Sequence, residues 1–138
     1  MEVVIRIRGE QRLDGACDTT ELTARGTLEE QDGALVLTYC EEESDVTAAM
    51  RVTDTAVTIE RRGAMQSLMR LEVGCHHACD YDTGYGVMKL DVYTSHLHNA
   101  LTARGGTLSL CYTLDLGGGM TAEQTVQAEV HPLSHKEG

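Results

Sequence analysis

The residue types best suited to hold a metal ion are concentrated in one short segment, Cys75-His76-His77-Ala78-Cys79. In an extended chain successive side chains face opposite ways, so Cys75, His77 and Cys79 would share one face. Two thiolates and one imidazole suit a borderline-soft ion such as zinc. Because there is no second cysteine pair, the simpler interpretation is two half-buried cysteines beside two surface histidines. We predict no metal or cofactor and keep Cys75, His77 and Cys79 as the alternative.

A fourth ligand would have to come from the next strand, because Gly84-Tyr85-Gly86 predicts a turn that folds the chain back. In one register the three residues lie opposite Asp91 and its neighbours, and a slip of one residue brings His96 opposite instead. The sequence does not fix this register. A cysteine and a histidine adjacent in a strand face opposite ways and cannot share a proton, so this segment does not predict catalysis.

A second set of residues places polar groups on the apolar faces of predicted strands. Glu41 lies on the same face as Tyr39, and Arg61 on the same face as Ile59. An inward guanidinium at Arg61 would bind a carboxylate or phosphate through two parallel hydrogen bonds. The alternative is that Glu41 and Arg61 pair with each other or lie at strand ends in solvent. Inward parity gives five candidate binding residues: Tyr39, Glu41, Arg61, His96 and Tyr112.

Strand patterns that could position these residues run through most of the chain. From Thr107 to Leu116 polar and apolar residues alternate without exception between two glycine clusters. This predicts a half-buried strand between two turns. Similar turn signals divide the rest of the chain, so at most ten strands are predicted, with turns at Asp14-Gly15, Asp32-Gly33, Glu43-Ser44-Asp45, Asp54-Thr55, Arg62-Gly63, Gly74, Gly84-Tyr85-Gly86, Gly105-Gly106 and Gly117-Gly118-Gly119.

Connections this short impose antiparallel pairing between neighbouring strands. A meander with one apolar face must close to bury that face and to protect its edges. We therefore predict an all-β fold, an antiparallel closed β-barrel of about eight to ten strands, as a single domain over residues 1–138. Two stretches are expected to differ. The spacing of Leu97 and Leu101 predicts a short helix within 95–104, and residues 131–138 are expected to fray.

The composition excludes several classes of partner. Lys and Arg number 11 against 22 Asp and Glu, a formal net charge of −11, which repels phosphate backbones and anionic lipid surfaces. We expect no nucleic-acid or membrane partner. No apolar stretch approaches the roughly twenty residues that span a bilayer, and the start of the chain lacks the apolar run of a signal peptide. The 5 cysteines are an odd number, which favours reduced thiols and a cytoplasmic protein.

Four segments, Leu35–Glu42, Val57–Ala64, Gly84–Thr94 and Gly106–Leu114, resemble in order and spacing the YwiB-like family of uncharacterised bacterial proteins. The resemblance extends from about Leu22 to Val130. It implies a calycin-like, lipocalin-type closed barrel. It implies no activity that can be carried over, since the family is a domain of unknown function. The Cys75–Cys79 segment lies outside the pattern of the family.

These observations predict a non-enzymatic barrel that binds a small molecule in its interior or at its mouth. The alternative is a scaffold that contacts another protein or a second copy of itself as a homodimer. The outward positions of Val4 and Tyr93 are the observations that favour this alternative. An enzyme would need titratable groups that converge in a cavity.

Overall fold

The computed structural model describes residues 1–41, 45–82 and 84–133, and within these ranges the chain forms β-strands and no helix. Each predicted turn lies, as far as its residues are described, in or beside a link between strands, and Glu43 and Ser44 of the third predicted turn are outside the described ranges. No helix of the described chain is long and apolar enough to cross a membrane. The strands are β1 Glu2–Leu13, β2 Ala16–Gln31, β3 Ala34–Glu41, β4 Val46–Val52, β5 Ala56–Gly63, β6 Gln66–Glu72, β7 His76–Asp82, β8 Val87–Thr102, β9 Gly105–Gly117 and β10 Met120–Pro132.

Successive strands pair antiparallel, and β1 pairs with β10, which closes the sheet into a ten-stranded barrel. The predicted all-β, antiparallel closed barrel is confirmed. The closure uses residues that were expected to fray, because His131 pairs with Val4 and Pro132 pairs with Val3. Leu133 also donates its backbone N–H to the carbonyl oxygen of Glu2 at 2.9 Å. Without these bonds the start of β1 would be an unpaired sheet edge.

The apolar faces of the strands meet inside the barrel, and the two ends of the interior differ. Where β1 begins and β2 ends, branched aliphatic side chains fill the interior, as the narrow bore of a small barrel allows. We call this the closed end, and its fully buried side chains include Val3, Ile5, Leu37, Val52, Val57, Leu71, Leu108, Leu110 and Val130. Toward the opposite end, where β3 and β5 finish, inward positions become polar or partly exposed. We call that the open end.

The chain from Ser95 to Thr102 is the second half of β8, so the helix predicted within 95–104 is wrong. The register between β8 and β9 shifts between Thr94 and His96, which makes Ser95 the extra residue of a β-bulge. Beyond the bulge Leu97 and Leu101 face inward, because Leu97 pairs with a buried leucine of β9. The bulge interrupts the two-residue alternation, and the four-residue spacing of Leu97 and Leu101 then resembles that of a helix.

The sheet is weakest between β6 and β7. These strands share two residue pairs, both at the open end, whereas every other neighbouring pair in the described chain shares six or more. At the opposite end of β6 the N–H of Gly74 is bonded to the carbonyl of Thr94 in β8 at 2.9 Å. We call the stretch between these contacts, Leu68–Glu72 facing His76–Asp80, the seam.

Candidate binding site at the open end of the barrel

Four of the five predicted binding residues, Tyr39, Glu41, Arg61 and Tyr112, come together at the open end. In the sheet Ala48 of β4 pairs with Tyr39 on one side and with Arg61 on the other. Cross-strand partners point to the same face, so both side chains enter the barrel on either side of a small residue. The charge of Arg61 acts on the hydroxyls of both tyrosines. The four side chains therefore form one electrostatic group.

The cation of this group is already paired. Nε of Arg61 lies 3.4 Å from Oε2 of Glu41, and the exposed fractions of the two side chains are 26% and 21%. The pairing of these two residues, which the sequence offered as an alternative, is therefore present. At 3.4 Å the contact is long for a charge-assisted hydrogen bond. It engages Nε, and the two terminal amino groups of the guanidinium are not part of it.

The two tyrosines of the group are neutral at physiological pH. Burial raises the pKa of Tyr39 to about 12, the nearby Arg61 opposes the rise, and Glu41 and Tyr112 add to it. Burial also raises the pKa of Tyr112, again opposed by Arg61. Each phenol thus keeps its proton and can donate a hydrogen bond. This group of four described residues offers one guanidinium, one carboxylate and two hydroxyl donors.

A groove of about 630 Å³ lies next to this group, mainly over the outer face of β5, β6 and β7, and Tyr39, Glu41 and Tyr112 are not among its lining residues. Ser67 of β6 pairs directly with Arg61, and its hydroxyl is buried without a hydrogen-bond partner in the described chain. An unpaired buried hydroxyl is costly, and such groups are rare in native proteins. The groove is lined by Glu60, Arg61, Arg62, Gln66, Ser67, Leu68, Asp80, Asp82 and Val87.

Carboxylates line the rim of the groove, and each of them has a partner. Glu60 accepts hydrogen bonds from Nε and Nη2 of Arg62 at 2.9 and 2.7 Å. Asp80 lies 3.4 Å from Nζ of Lys89. Asp82 accepts the backbone N–H of Gly84 at 2.9 Å. These partners reduce the repulsion that an anion entering the groove would meet.

The fifth predicted residue, His96, lies on the outer surface. The parity that places Thr94 inside the barrel predicts the same for His96, but the bulge at Ser95 reverses it. His96 is exposed and pairs with Cys111 on the outer face of β9. The expectation that His96 points into the barrel is wrong, and this residue is separate from the other four.

Of the three predicted metal residues, Cys75 and His77 lie together and Cys79 is separate from them. Cys79 is buried among the core side chains, and its pKa is raised by burial. Cys75 and His77 do come together, and Glu72 replaces Cys79 as the third member of the group. Nε2 of His77 lies 3.0 Å from Oε1 of Glu72. The hydrogen bond with His77 is the main reason why the pKa of Glu72 is lowered.

Sequence reasoning missed Ser67 and Glu72, although a signal exists for each. A hairpin at Gly63 fixes the register that sets Ser67 opposite Arg61. A turn with glycine at its third position, Glu72-Val73-Gly74-Cys75, brings its first and last residues together. The N–H of Cys75 is bonded to the carbonyl of Glu72 at 3.0 Å, and Gly74 has φ of 79°.

The fold and the site define a closed ten-stranded up-and-down barrel with one packed end and one polar open end. The chain belongs to the family described as "Domain of unknown function (DUF1934)", whose model matches residues 5–127. It is similar to the crystal structure of the ywiB protein from Bacillus subtilis, with a TM-score of 0.82 and 20% sequence identity over 93% of this chain and 90% of that chain. The predicted resemblance is confirmed, and at this identity the likeness establishes the fold. No curated protein matches the chain.

Proposed function

We propose that this barrel binds a small molecule carrying a carboxylate or phosphate at its open end. Arg61 is the anchor, and Tyr39 and Tyr112 donate hydrogen bonds beside it. The observation that carries the proposal is a half-buried guanidinium that, within the described chain, is held by a single 3.4 Å contact and acts electrostatically on two neutral phenols, the buried Tyr39 and the partly buried Tyr112. A planar guanidinium with terminal donors to spare matches a carboxylate or phosphate in bidentate geometry.

The groove next to the open end is consistent with the same ligand class. Its volume of about 630 Å³ falls within the roughly 300–1,000 Å³ of small-molecule sites, and Arg61 lines it, although most of its lining lies on the outer face of β5, β6 and β7. Ser67 lies where the groove meets the interior, and its buried hydroxyl has no hydrogen-bond partner in the described chain. Aliphatic side chains fill the closed end, which favours binding at the mouth over binding deep in the bore. The proposed ligand would therefore lie at the rim of the barrel and not deep inside it, where a lipocalin-type barrel holds its ligand.

The proposal also includes a reducing, cytoplasmic location. The cysteines of the chain are all free, and unpaired thiols persist best where glutathione and thioredoxin keep them reduced.

The test is thermal denaturation of the full chain with a panel of small carboxylates, inorganic phosphate and nucleoside phosphates. A ligand present at a hundred times its Kd adds about 2.7 kcal/mol to the free energy of unfolding and raises Tm. Arg61→Met should abolish the shift. Arg51→Met is the matched control, because Arg51 is an exposed arginine of β4 whose Nη2 bonds to the carbonyl of Gln31, away from the open end. Equal shifts in both variants would contradict the proposal.

A second candidate function is self-association through the exposed apolar residues that line and adjoin the groove. Leu68 and Val87 both line it with 58% and 59% of their surfaces exposed, and Tyr85 in the adjoining turn is 99% exposed. Exposed apolar groups gathered in one place are typical of interaction surfaces. Light scattering would report a dimer that Leu68→Glu converts to a monomer. A monomeric wild-type chain at high concentration would exclude this candidate.

A further inference from the structure

A second cluster of reactive side chains lies where the seam meets the turn at Gly74, at the opposite end of β6 from Ser67 and the groove. Here the backbone ladder between β6 and β7 is interrupted, and the strands are joined by the turn from Glu72 to Cys75. Glu72 ends β6, Cys75 closes the turn and His77 is the second residue of β7. Side chains from both strands therefore meet where backbone hydrogen bonds are missing.

The donor atoms of this cluster are close enough to share one ion. Oε1 of Glu72, Sγ of Cys75 and a ring nitrogen of His77 all lie within 4.8 Å of one another, and each residue is half-buried. Nε2 of His77 and Oε1 of Glu72 are 3.0 Å apart. Ligand bonds of about 2.0–2.3 Å in a tetrahedron hold their donor atoms roughly 3.3–3.8 Å apart. The Glu72–His77 distance lies just below that range and the upper limit of 4.8 Å lies about 1 Å above it, so small movements of the side chains would form the site.

We infer that Glu72, Cys75 and His77 bind a divalent cation of the zinc class. One thiolate, one imidazole and one carboxylate are the mixed ligands that such a borderline ion accepts, and they exclude magnesium and calcium, which require oxygen donors. Three protein ligands leave the fourth position open for water or for a substrate atom. Binding releases the thiol proton of Cys75 to solvent and replaces the hydrogen bond between His77 and Glu72.

Two neighbouring groups act on the site. Nε of Arg70 lies 3.6 Å from Oε1 of Glu72, where it can orient the carboxylate as an outer partner, while its positive charge partly opposes a cation at that oxygen. His76, on the opposite face of β7, is held by Asp91 at 2.6 Å and does not compete for the site. The formal net charge of −11 favours cation binding throughout the molecule.

The bound ion would tie β6 to β7 across the seam. Its ligands come from the end of one strand, the turn and the start of the next, so the ion would restrain the stretch in which the described strands lack ladder pairs. This inference does not depend on the proposed anion site, since Arg61 and Ser67 lie at the other end of the seam.

Titration of the reduced, chelator-treated full chain with Co²⁺, followed by competition with Zn²⁺, tests the site. We expect one equivalent of Co²⁺ with a thiolate-to-cobalt absorption band and a Tm that rises with the metal. Cys75→Ser should abolish the band, and Glu72→Gln and His77→Gln should each weaken binding by at least about tenfold. Cys111→Ser is the matched control, a free, half-buried cysteine on β9, and it should bind like wild type.

Several outcomes would overturn the inference. Wild-type protein that binds no Co²⁺ or Zn²⁺, a cobalt complex without the thiolate band, or a band that survives in Cys75→Ser would each do so. Loss of binding in Cys111→Ser would place the metal on the outer face beside His96 instead. Arg61→Met should leave metal binding unchanged, so failure here and failure of the proposed anion site are separate results.

Discussion

The guanidinium of Arg61 and the carboxylate of Glu41 meet at 3.4 Å although β4 lies between the strands that carry them. The contact is diagonal across the inner face of β4, from the strand position beside Val46 to the position beside Ala48. Ala48 provides space for this contact, being fully buried between Tyr39 and Arg61. The ion pair therefore connects β3 and β5 across the inner face of β4 at the open end.

The first prediction is a modest coupling between these two residues. Arg61→Met alone should lower the free energy of unfolding by about 1–2 kcal/mol, less than the 3–5 kcal/mol of a fully buried pair because solvent screens it. In a double-mutant cycle with Glu41→Met, urea denaturation should give a coupling energy of about 1 kcal/mol. A coupling near that of a buried pair, together with no anion-dependent rise in Tm, would assign Arg61 a purely structural role.

The second prediction concerns alkaline pH. Tyr39 has a pKa of about 12 in the folded protein, against about 10 in an unfolded chain. The folded state therefore holds this proton more tightly, so the stabilisation is complete below pH 10 and is lost as pH rises from 10 to 12. Two units of pKa correspond to about 2–3 kcal/mol.

Urea denaturation between pH 9 and 12 measures this loss, and tyrosinate absorbance gives the pKa directly. Tyr39→Phe should remove that part of the pH dependence, whereas Tyr85→Phe should not, because Tyr85 is almost completely exposed. If the two variants follow the same pH profile, the phenol of Tyr39 titrates normally and is not desolvated.

The sequence predicted the barrel and most of its open end, because the evidence for both is local. Alternation of polar and apolar residues assigns Tyr39 and Arg61 to the interior whatever their partners are, and turn residues set the number of strands. A bulge, in contrast, can be recognised only from the pairing of two strands that are distant in sequence. Ser95 resembles any polar residue in a strand, and only the shift of pairing with β9 shows that it is extra. The inward position predicted for His96 failed for that reason.

The seam was unpredictable for a related reason. The alternation placed Cys75, His77 and Cys79 on one face, but it does not show which residue of β6 lies near them. The ladder is interrupted, Cys79 packs into the core, and the turn at Gly74 brings Glu72 to the other two residues instead. Register and strand separation are set by packing across the whole barrel, which periodicity does not encode.

The third prediction uses two strand glycines as a matched pair. A Cβ on Gly26 would lie 2.1 Å from the carbonyl oxygen of Thr38, so β2 and β3 would have to separate. A Cβ on Gly9 would lie 3.2 Å from the hydroxyl of Thr20, a side chain that can rotate away. Gly26→Ala should therefore cost roughly 2–4 kcal/mol and Gly9→Ala less than about 1 kcal/mol in urea denaturation. Similar losses in both variants would mean that β2 and β3 adjust freely.

The last prediction tests the unpaired hydroxyl of Thr94. This side chain is fully buried, and its Oγ1 has no hydrogen-bond partner in the described chain. Valine has nearly the same shape and the same β-branched preference for strands, so Thr94→Val removes a desolvated hydroxyl without leaving a cavity. It should raise the free energy of unfolding by about 1–2 kcal/mol. Val92→Thr, at the preceding inward position of β8 and equally buried, should lower it by a similar amount. Loss of stability in Thr94→Val would show that the hydroxyl does bond in solution, and a buried water beside the turn at Gly74 would then be its partner.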